Sequence, residues 1–437
     1  MPYLILDLKH PIWLFPSFVK LGKVYKALCV LFPSIIPSVL PMKDERNKGS
    51  RNSTLHSPAK ILSRPIGITA QSPVTKSDMD PSIWSQLPNE LLEIILSFLP
   101  LKNFFNLRST CKTFWSMVFS PRFISKHNSS LPSFSSFLLL SHPQCHRRFP
   151  LYDSNLNAWR NRALSSSVSL PSASLLTSSN GLLCFSLPTS SSFLVSNLLA
   201  NTEREIKFPT YPFSFELLSL VSTPLGYTIF ALCSQSSSKS TYLYDSRNHS
   251  WTESDGFDPI LNDNHHQEAV YFKGALYFTT AEPFSIVSFD LEKGVWRRSE
   301  AEVPGELTFA RLVSGSGRHG GSNETLYLIG GIGGNGITRS LKVWELGNEG
   351  RDWLEYDRVP EMMCRKFTSV CYHNYQHVYC FWHPGMICIC CYTWPEILYF
   401  KSSRRTWHWL PKSPSLPDKW SCGFRWFSFI PNLYASV

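Results

Sequence analysis

Charge is scarce in this sequence. Only 17% of its 437 residues are Asp, Glu, Lys or Arg, and the few carboxylates sit mostly in hairpin-like turns such as those of Asp153 and Asp245. There a carboxylate caps a turn rather than serving as half of an acid–base pair. No Gly-x-Ser-x-Gly elbow occurs, so the usual setting of a hydrolase serine is missing. With no catalytic constellation the chain reads as non-enzymatic, and no cofactor is expected. A membrane-spanning run is lacking as well. Ala27 to Met42 carries no charge, but its sixteen residues are broken by Pro33, Pro37 and Pro41 and fall short of the ~20 that a spanning helix needs. Lys20, Lys23 and Lys26 ahead of that run imitate a secretory leader, yet the prolines spoil its apolar core and no small-residue cleavage site follows. The twelve cysteines lie mostly in apolar strand-like runs, unlike the loop-borne spacing of a disulfide framework. Reduced thiols in an intracellular compartment, nucleus or cytoplasm, are the expectation.

The formal charge of +10 is uneven: residues 1–78 hold eleven basic and four acidic side chains, which is +7 of the total. A basic tail rich in Ser, Asn and Pro reads as solvated and disordered, and neither a nucleic-acid nor a membrane partner is expected from it. Met79, or else Met42, reads as the natural start, with residues 1–78 an extension of no structural consequence.

What the sequence does have is a dense apolar module at 79–128. Pro88 suits the first turn of a helix. Leu91, Ile94, Ile95, Phe98 and Leu99 then fall at i, i+3, i+4, i+7 and i+8, one stripe at the helical period, until Pro100 ends it. Phe104, Leu107 and Cys111, then Phe114, Trp115 and Val118, repeat the pattern as far as Pro121. Three short helices follow from this, and their apolar side chains exceed what so small a module can cover. Part of that surface is expected to face a partner.

The Leu87-Pro88 pair, Glu90-Leu91-Leu92, Ile95-Leu96-x-x-Leu99-Pro100, Leu107-Arg108 and Cys111-Lys112-x-Phe114-Trp115 resemble an F-box at nearly every strong position. The resemblance implies docking on the Skp-type adaptor of a cullin-based ubiquitin ligase. Leu87, Pro88, Leu91, Ile94, Ile95, Leu99, Leu107 and Trp115 would belong to the adaptor-binding module, some of them as its internal core. The bland reading is an ordinary three-helix core packed on the rest of the chain.

From residue 134 to the end the sequence repeats itself. An aromatic precedes a tryptophan by seven residues at Tyr152/Trp159, Tyr244/Trp251, Phe289/Trp296 and Phe400/Trp407, while Trp344 precedes Trp353 by nine. Polar turn residues lie between, so each unit reads as strand, hairpin turn and strand. Further hairpins are predicted upstream, at Val270–Phe278 with its turn at Lys273-Gly274, at Thr325–Gly331, and from Ser369–Tyr372 into His377–Trp382. Units at 134–164, 172–212, 215–256, 265–302, 307–358 and 366–412 make six propeller blades, with seven as the alternative. The last strand, Phe424–Ile430, would complete the first blade and leave no open edge. The Ile329-Gly330-Gly331 ending and the spaced tryptophans resemble a kelch repeat, with Trp159, Trp251, Trp296, Gly330, Gly331, Trp353 and Trp407 as its landmarks. The fold class is therefore α+β and multidomain, a three-helix module followed by an all-β kelch-like propeller.

Several motifs invite chemistry. Gly331-Ile332-Gly333-Gly334-Asn335-Gly336 satisfies the dinucleotide fingerprint, but a strand-like run rather than a helix follows it. His373, His377, Cys380, His383, Cys388, Cys390 and Cys391 are the densest metal-ligand types, yet a strand–turn–strand there scatters them over both faces, and no metal is expected. His265-His266 on a loop is weaker still. Arg311, Arg318, His319 and Arg339 read as solvated loop charges, with an acidic partner as the alternative. The tryptophans read as blade packing rather than stacking platforms.

Together the two resemblances cover residues 84–437 and identify the chain as similar to plant F-box/kelch-repeat proteins. That resemblance implies a substrate receptor of a Skp–cullin–F-box ubiquitin ligase. The partners would be the Skp-type adaptor, a cullin through it, and an unknown protein substrate. The rivals are a metal- or redox-dependent propeller enzyme and a propeller scaffold or transcriptional co-factor acting without the ligase.

Overall fold

The computed structural model describes residues 87–97, 112–117, 120, 122–123 and, from 136 onward, all but 146–147, 166–172, 201, 212, 236–237, 257–265, 317–323, 348, 417–418 and 433. The chain divides into two units, Met1–Pro132 and Ser133–Val437. The extension expected over 1–78 lies outside the described residues, as do Leu99 and Leu107.

In the first unit, α1 (Asn89–Ser97) and α2 (Lys112–Met117) are described. The carbonyl of Pro88 accepts from the N–H of Leu91 at 3.0 Å and of Leu92 at 3.1 Å, so the proline stands where its missing N–H costs nothing. Leu96, Met117 and Phe123 are buried.

In the second unit the chain builds six four-stranded antiparallel sheets, which settles the blade number. The first blade opens with β1 (Phe137–Ser141), β2 (Arg148–Asp153) and β3 (Ala158–Ser165). The second is β4 (Ser174–Ser179), β5 (Leu182–Leu187), β6 (Ser192–Asn197) and β7 (Thr202–Lys207). The third is β8 (Leu217–Thr223), β9 (Gly226–Gln235), β10 (Ser238–Asp245) and β11 (Ser250–Asp255). The fourth is β12 (Val270–Phe272), β13 (Ala275–Thr279), β14 (Ile286–Asp290) and β15 (Val295–Arg298). The fifth is β16 (Leu307–Ser316), β17 (Glu324–Gly334), β18 (Ile337–Leu346) and β19 (Trp353–Arg358). After helix α3 (Glu361–Val370) comes the sixth, β20 (Val378–His383), β21 (Met386–Cys391), β22 (Trp394–Lys401) and β23 (Thr406–Leu410). Finally β24 (Arg425–Phe429) pairs with β1, Phe137 opposite Phe429 and Ser141 opposite Arg425, and closes the ring as the sequence implies.

The inner strands β24, β4, β8, β12, β16 and β20 all run the same way along the axis. Alternation of direction then sorts the connections. Turns between first and second, and between third and fourth, strands gather at one end; blade-to-blade connections and the second-to-third turns gather at the other. The outer hairpins are set by their turn chemistry. Asp153 Oδ1 accepts from the N–H of Asn155 and Leu156, and Asp290 Oδ1 from those of Glu292 and Lys293. A residue with positive φ follows in each, Asn157 at 48° and Gly294 at 68°, which brings the chain back in register.

Three expectations need correction. In the fifth blade, Trp344 does not face Trp353. Trp353 pairs with Leu346, seven residues before it, and the same register puts Trp344 opposite Glu355, a bulge following only between Trp344 and Val343. The hairpin spacing is thus the same as elsewhere, with leucine in the aromatic's place. Second, no strand covers Ser369–Tyr372. Residues 361–370 form α3, because Pro360 starts a helix and Cys364, Phe367, Thr368 and Cys371 repeat at i, i+3, i+4 and i+7 on its buried side. The sixth blade's first hairpin is instead β20–β21, turning at Pro384-Gly385. Third, Arg311 is no solvated loop charge. It lies in β16, 1% exposed, and donates to the carbonyls of Val378, Ala310 and Tyr375, each at 2.6 Å. Burial pushes its pKa down to about 10. Arg339 is exposed, and Arg318 and His319 lie outside the described residues.

Gly330 and Gly331 lie inside β17 rather than at its end. A Cβ on Gly331 would stand 2.4 Å from both Thr308 Oγ1 and Thr338 Oγ1, which share a hydrogen bond across it. A Cβ on Gly334 would meet nothing within 4 Å beyond its chain neighbours. We therefore expect Gly331→Ala to cost about 1–3 kcal/mol in urea unfolding through forced displacement of the two threonines, and Gly334→Ala to stay within ~0.5 kcal/mol.

Candidate functional site

On α1 the apolar side chains do not all turn inward. Leu91 and Ile94 are 48% and 39% exposed, Pro88 is exposed beside them, and Leu87 and Ile95 are half-buried. Pro88, Leu91 and Ile94, spaced by three, make an apolar stripe, while Leu96 packs inside. For Trp115 only its place in α2 is described. Glu93 reaches Arg122 at 3.6 Å.

The repeat landmarks assemble at the rim of the ring. Tyr152, Tyr244, Phe289 and Phe400 stand directly opposite Trp159, Trp251, Trp296 and Trp407. The ring centroids are 5.1–5.4 Å apart, the range of favourable edge and tilted contacts. Three of the indoles also reach back to the blade before. Trp251 Nε1 donates to Lys207 O in β7 at 2.9 Å, Trp296 Nε1 to Asp255 O in β11 at 3.2 Å, and Trp407 Nε1 to Asp357 Oδ1 in β19 at 2.9 Å. The tryptophans are blade packing and latch outer strands together; Trp353 packs in the cluster shared by the fourth and fifth blades.

The metal-ligand types of the sixth blade separate. Cys380 and Cys391 join one hydrophobic cluster and Cys388 and Cys390 another, as alternation along strands requires. Among the described residues, no group of three or more His, Cys, Asp or Glu is placed to hold a metal. His383 is fully buried between Ser428 Oγ at 2.9 Å and Ser154 Oγ at 3.0 Å. It ties the sixth blade to both parts of the first, and burial pushes its pKa from 6.5 down to about 3. After Gly331-Ile332-Gly333-Gly334 the chain turns at Asn335-Gly336, with φ of 53° and 72°, straight into β18, so no helix N-terminus awaits a pyrophosphate.

Sequence reasoning missed the centre of the ring. Residues 266–269, leading into β12, cross the channel and bind its walls. Gln267 Nε2 donates to Cys380 O at 3.1 Å and Leu312 O at 3.3 Å, and its Oε1 accepts from Cys380 N at 2.8 Å. Thr177 Oγ1 donates to Glu268 Oε2 at 2.7 Å, and Ala269 N donates to Ser219 Oγ at 3.1 Å. Arg425 attracts the Glu268 carboxylate from β24. Hydrogen bonds of Gln267, Glu268 and Ala269 thus reach the inner strands of four other blades, and the charge of Arg425 reaches Glu268 from the fifth.

Residues 84–126 match the F-box domain model. F-box/kelch-repeat protein At5g43190 of Arabidopsis thaliana is 55% identical over 371 residues, covering 83% of this chain and 90% of that protein. The chain belongs to the F-box/kelch-repeat protein family. F-box only protein 6 is 28% identical over 308 residues, 66% of this chain and 62% of that one. Protein UNUSUAL FLORAL ORGANS is 23% identical over 367 residues, 77% and 80% of the two chains; both are from Arabidopsis thaliana. As an F-box/kelch-repeat protein with an F-box ahead of a six-bladed propeller, this is an F-box substrate-adaptor protein, and its F-box is a module for a Skp-type adaptor.

Burial pushes the Glu268 carboxyl of this F-box/kelch-repeat protein up from 4.5 to about 7. Between those values the folded state holds a proton that the unfolded chain has released, so stability falls as pH rises through the window. His383 acts oppositely, since below about 6.5 only the unfolded chain takes up its proton. We expect Glu268→Gln to gain about 1–3 kcal/mol on the wild type between about pH 5 and about pH 8, read from urea midpoints, while the loss of stability on acidification that His383 contributes remains in both.

Proposed function

We propose that this protein is the substrate-recognition subunit of a Skp–cullin–F-box ubiquitin ligase, acting in the nucleus or cytoplasm. The observation that carries the reading is the apolar stripe of Pro88, Leu91 and Ile94 left exposed on the first helix of a module that matches the F-box domain. Fully covering a leucine or isoleucine is worth ~1.5–3 kcal/mol, so two such anchors supply at most about 3–6 kcal/mol, roughly a hundred- to ten-thousandfold in affinity. The adaptor binds there and carries the cullin; the propeller holds a target protein through its loops.

The subunit itself makes and breaks no bond in this scheme. It raises the local concentration of a target lysine near a ubiquitin-charged enzyme elsewhere in the assembly, turning an encounter into an effectively intramolecular step. Among the described residues, no helix is long and apolar enough to cross a membrane, and no step of the proposal calls for one.

Co-purification of the full chain with a Skp-type adaptor and a cullin tests the reading. Leu91→Asp combined with Ile94→Asp should lower adaptor recovery at least about a hundredfold while the thermal transition of the propeller stays in place. Cullin should disappear with the adaptor. Equal recovery by the wild type and the double variant would assign the α1 stripe to internal packing and end the proposal.

A further inference from the structure

Among the described residues, one end of the channel at the centre of the ring is spanned by a plug. The plug is residues 266–269, at the end where the blade-to-blade connections gather, with His266 stacked on Tyr392 at 4.0 Å and 8°. Below this plug lies a cavity of about 350 Å³, which falls within the ~300–1,000 Å³ typical of small-molecule sites. It leads out past Tyr271, Ser314, Glu324 and Trp382 to the opposite end. Glu268 stands at its floor, part-exposed to the channel although deep within the protein. Thr177 donates to its Oε2. The nearby cation, Arg425, donates to Leu176 O at 3.0 Å and lies over the ring of Phe427 at 5.2 Å. The floor therefore offers a carboxyl with an oxygen to spare, the walls are partly apolar, and the way in passes two aromatic faces and a second carboxylate.

We propose that this channel binds a small arylalkyl primary amine, its ammonium group on Glu268 and its apolar body toward Tyr271 and Trp382. Such a site is separate from adaptor docking and goes beyond the role of a target receptor. Arg425 attracts Glu268 but engages Leu176 O and the Phe427 ring, so an ammonium ion can take the carboxyl oxygen that Thr177 leaves open, and a body of one ring and a short stem suits a narrow channel. Entry of the cation favours the ionised carboxylate, so binding near neutral pH releases a proton from Glu268.

The groups that face Glu268 bear on its titration. On its own segment there is His266; from β24 comes Arg425, from β20 Tyr379 and Cys380, from β5 Cys184, and at the mouth Glu324 and Tyr271. Burial pushes the Tyr379 phenol and the Cys184 and Cys380 thiols up, so they stay neutral near pH 7. His266 remains in a Glu268→Gln variant, which separates its contribution from that of the carboxyl.

Isothermal titration of the full chain with phenethylamine, and with 2-phenylethanol as the uncharged match, tests the assignment. We expect the amine to bind about tenfold more tightly at about pH 8 than at about pH 6 and to release a proton in buffers of different ionisation heat. Glu268→Gln should lose at least about tenfold of this affinity and its pH dependence, and the alcohol should bind no better than the amine binds that variant. Ser314→Phe, which narrows the mouth and leaves the floor intact, should also abolish binding and decides the matter if Glu268→Gln does not fold. No measurable heat with the wild type, an affinity unchanged by either variant, or one independent of pH would overturn the proposal.

Discussion

Closure of the ring is the constraint on which the propeller depends. A four-stranded sheet has two edges, and an edge left open is a template for unwanted pairing. Here the first sheet lacks its inner strand until β24 arrives, and five consecutive residues of β24 then pair with β1. The joint is reinforced from both sides. His383 bridges Ser428 of β24 and Ser154 of the first blade, and Asn197 Nδ2 donates to the carbonyls of Asn432 and Ala435, holding the chain's last residues beneath the second blade. Because burial disfavours the charged form of His383, closure is stronger at neutral pH than in acid.

Closure creates a hole, and the hole has to be managed. Six inner strands surround a shared axis, and many of their apolar side chains pack in hydrophobic clusters. The segment 266–269 spans one end by hydrogen bonding to the inner strands of four other blades. Its glutamine is bidentate with Cys380 in the manner of an extra strand residue. Arg311 does similar work one layer out, meeting three carbonyls at the seam of the fifth and sixth blades without a carboxylate among those bonds. Polar groups, not apolar packing alone, fix how the blades are set around the axis.

What the sequence makes legible is local. The interval of seven residues between an aromatic and its tryptophan encodes an Asx-capped turn and a direct cross-strand pair, both determined within ten residues. It therefore predicts the outer hairpins of four blades, while the second blade lacks the pair and the sequence leaves six or seven blades open. Reading failed where a local pattern had two solutions. Trp344 offered itself as the partner of Trp353 because it is aromatic, whereas Leu346 has the right spacing; α3 was hidden because Ser369-Val370-Cys371-Tyr372 has strand composition, although Cys364, Phe367, Thr368 and Cys371 carry the helical period. The central plug was not legible at all. Gln267 and Glu268 bond partners up to 113 residues away, and nothing in a His-His-Gln-Glu stretch announces them. Of the F-box, the motif was legible; which of its apolar positions face outward depends on how the helices pack, as the contrast between exposed Leu91 and buried Leu96 shows.

The pairing of Phe137 with Phe429 also has a consequence in time. A ribosome adds ~5–20 residues per second, so the strand that opens the first blade waits on the order of 15–60 s for the one that completes it. Throughout that interval the nascent ring carries an unpaired edge, while the F-box has long since left the exit tunnel. Order of synthesis thus makes the adaptor-binding module available before the propeller is whole, and leaves β1 as the segment that most needs a chaperone's cover during translation.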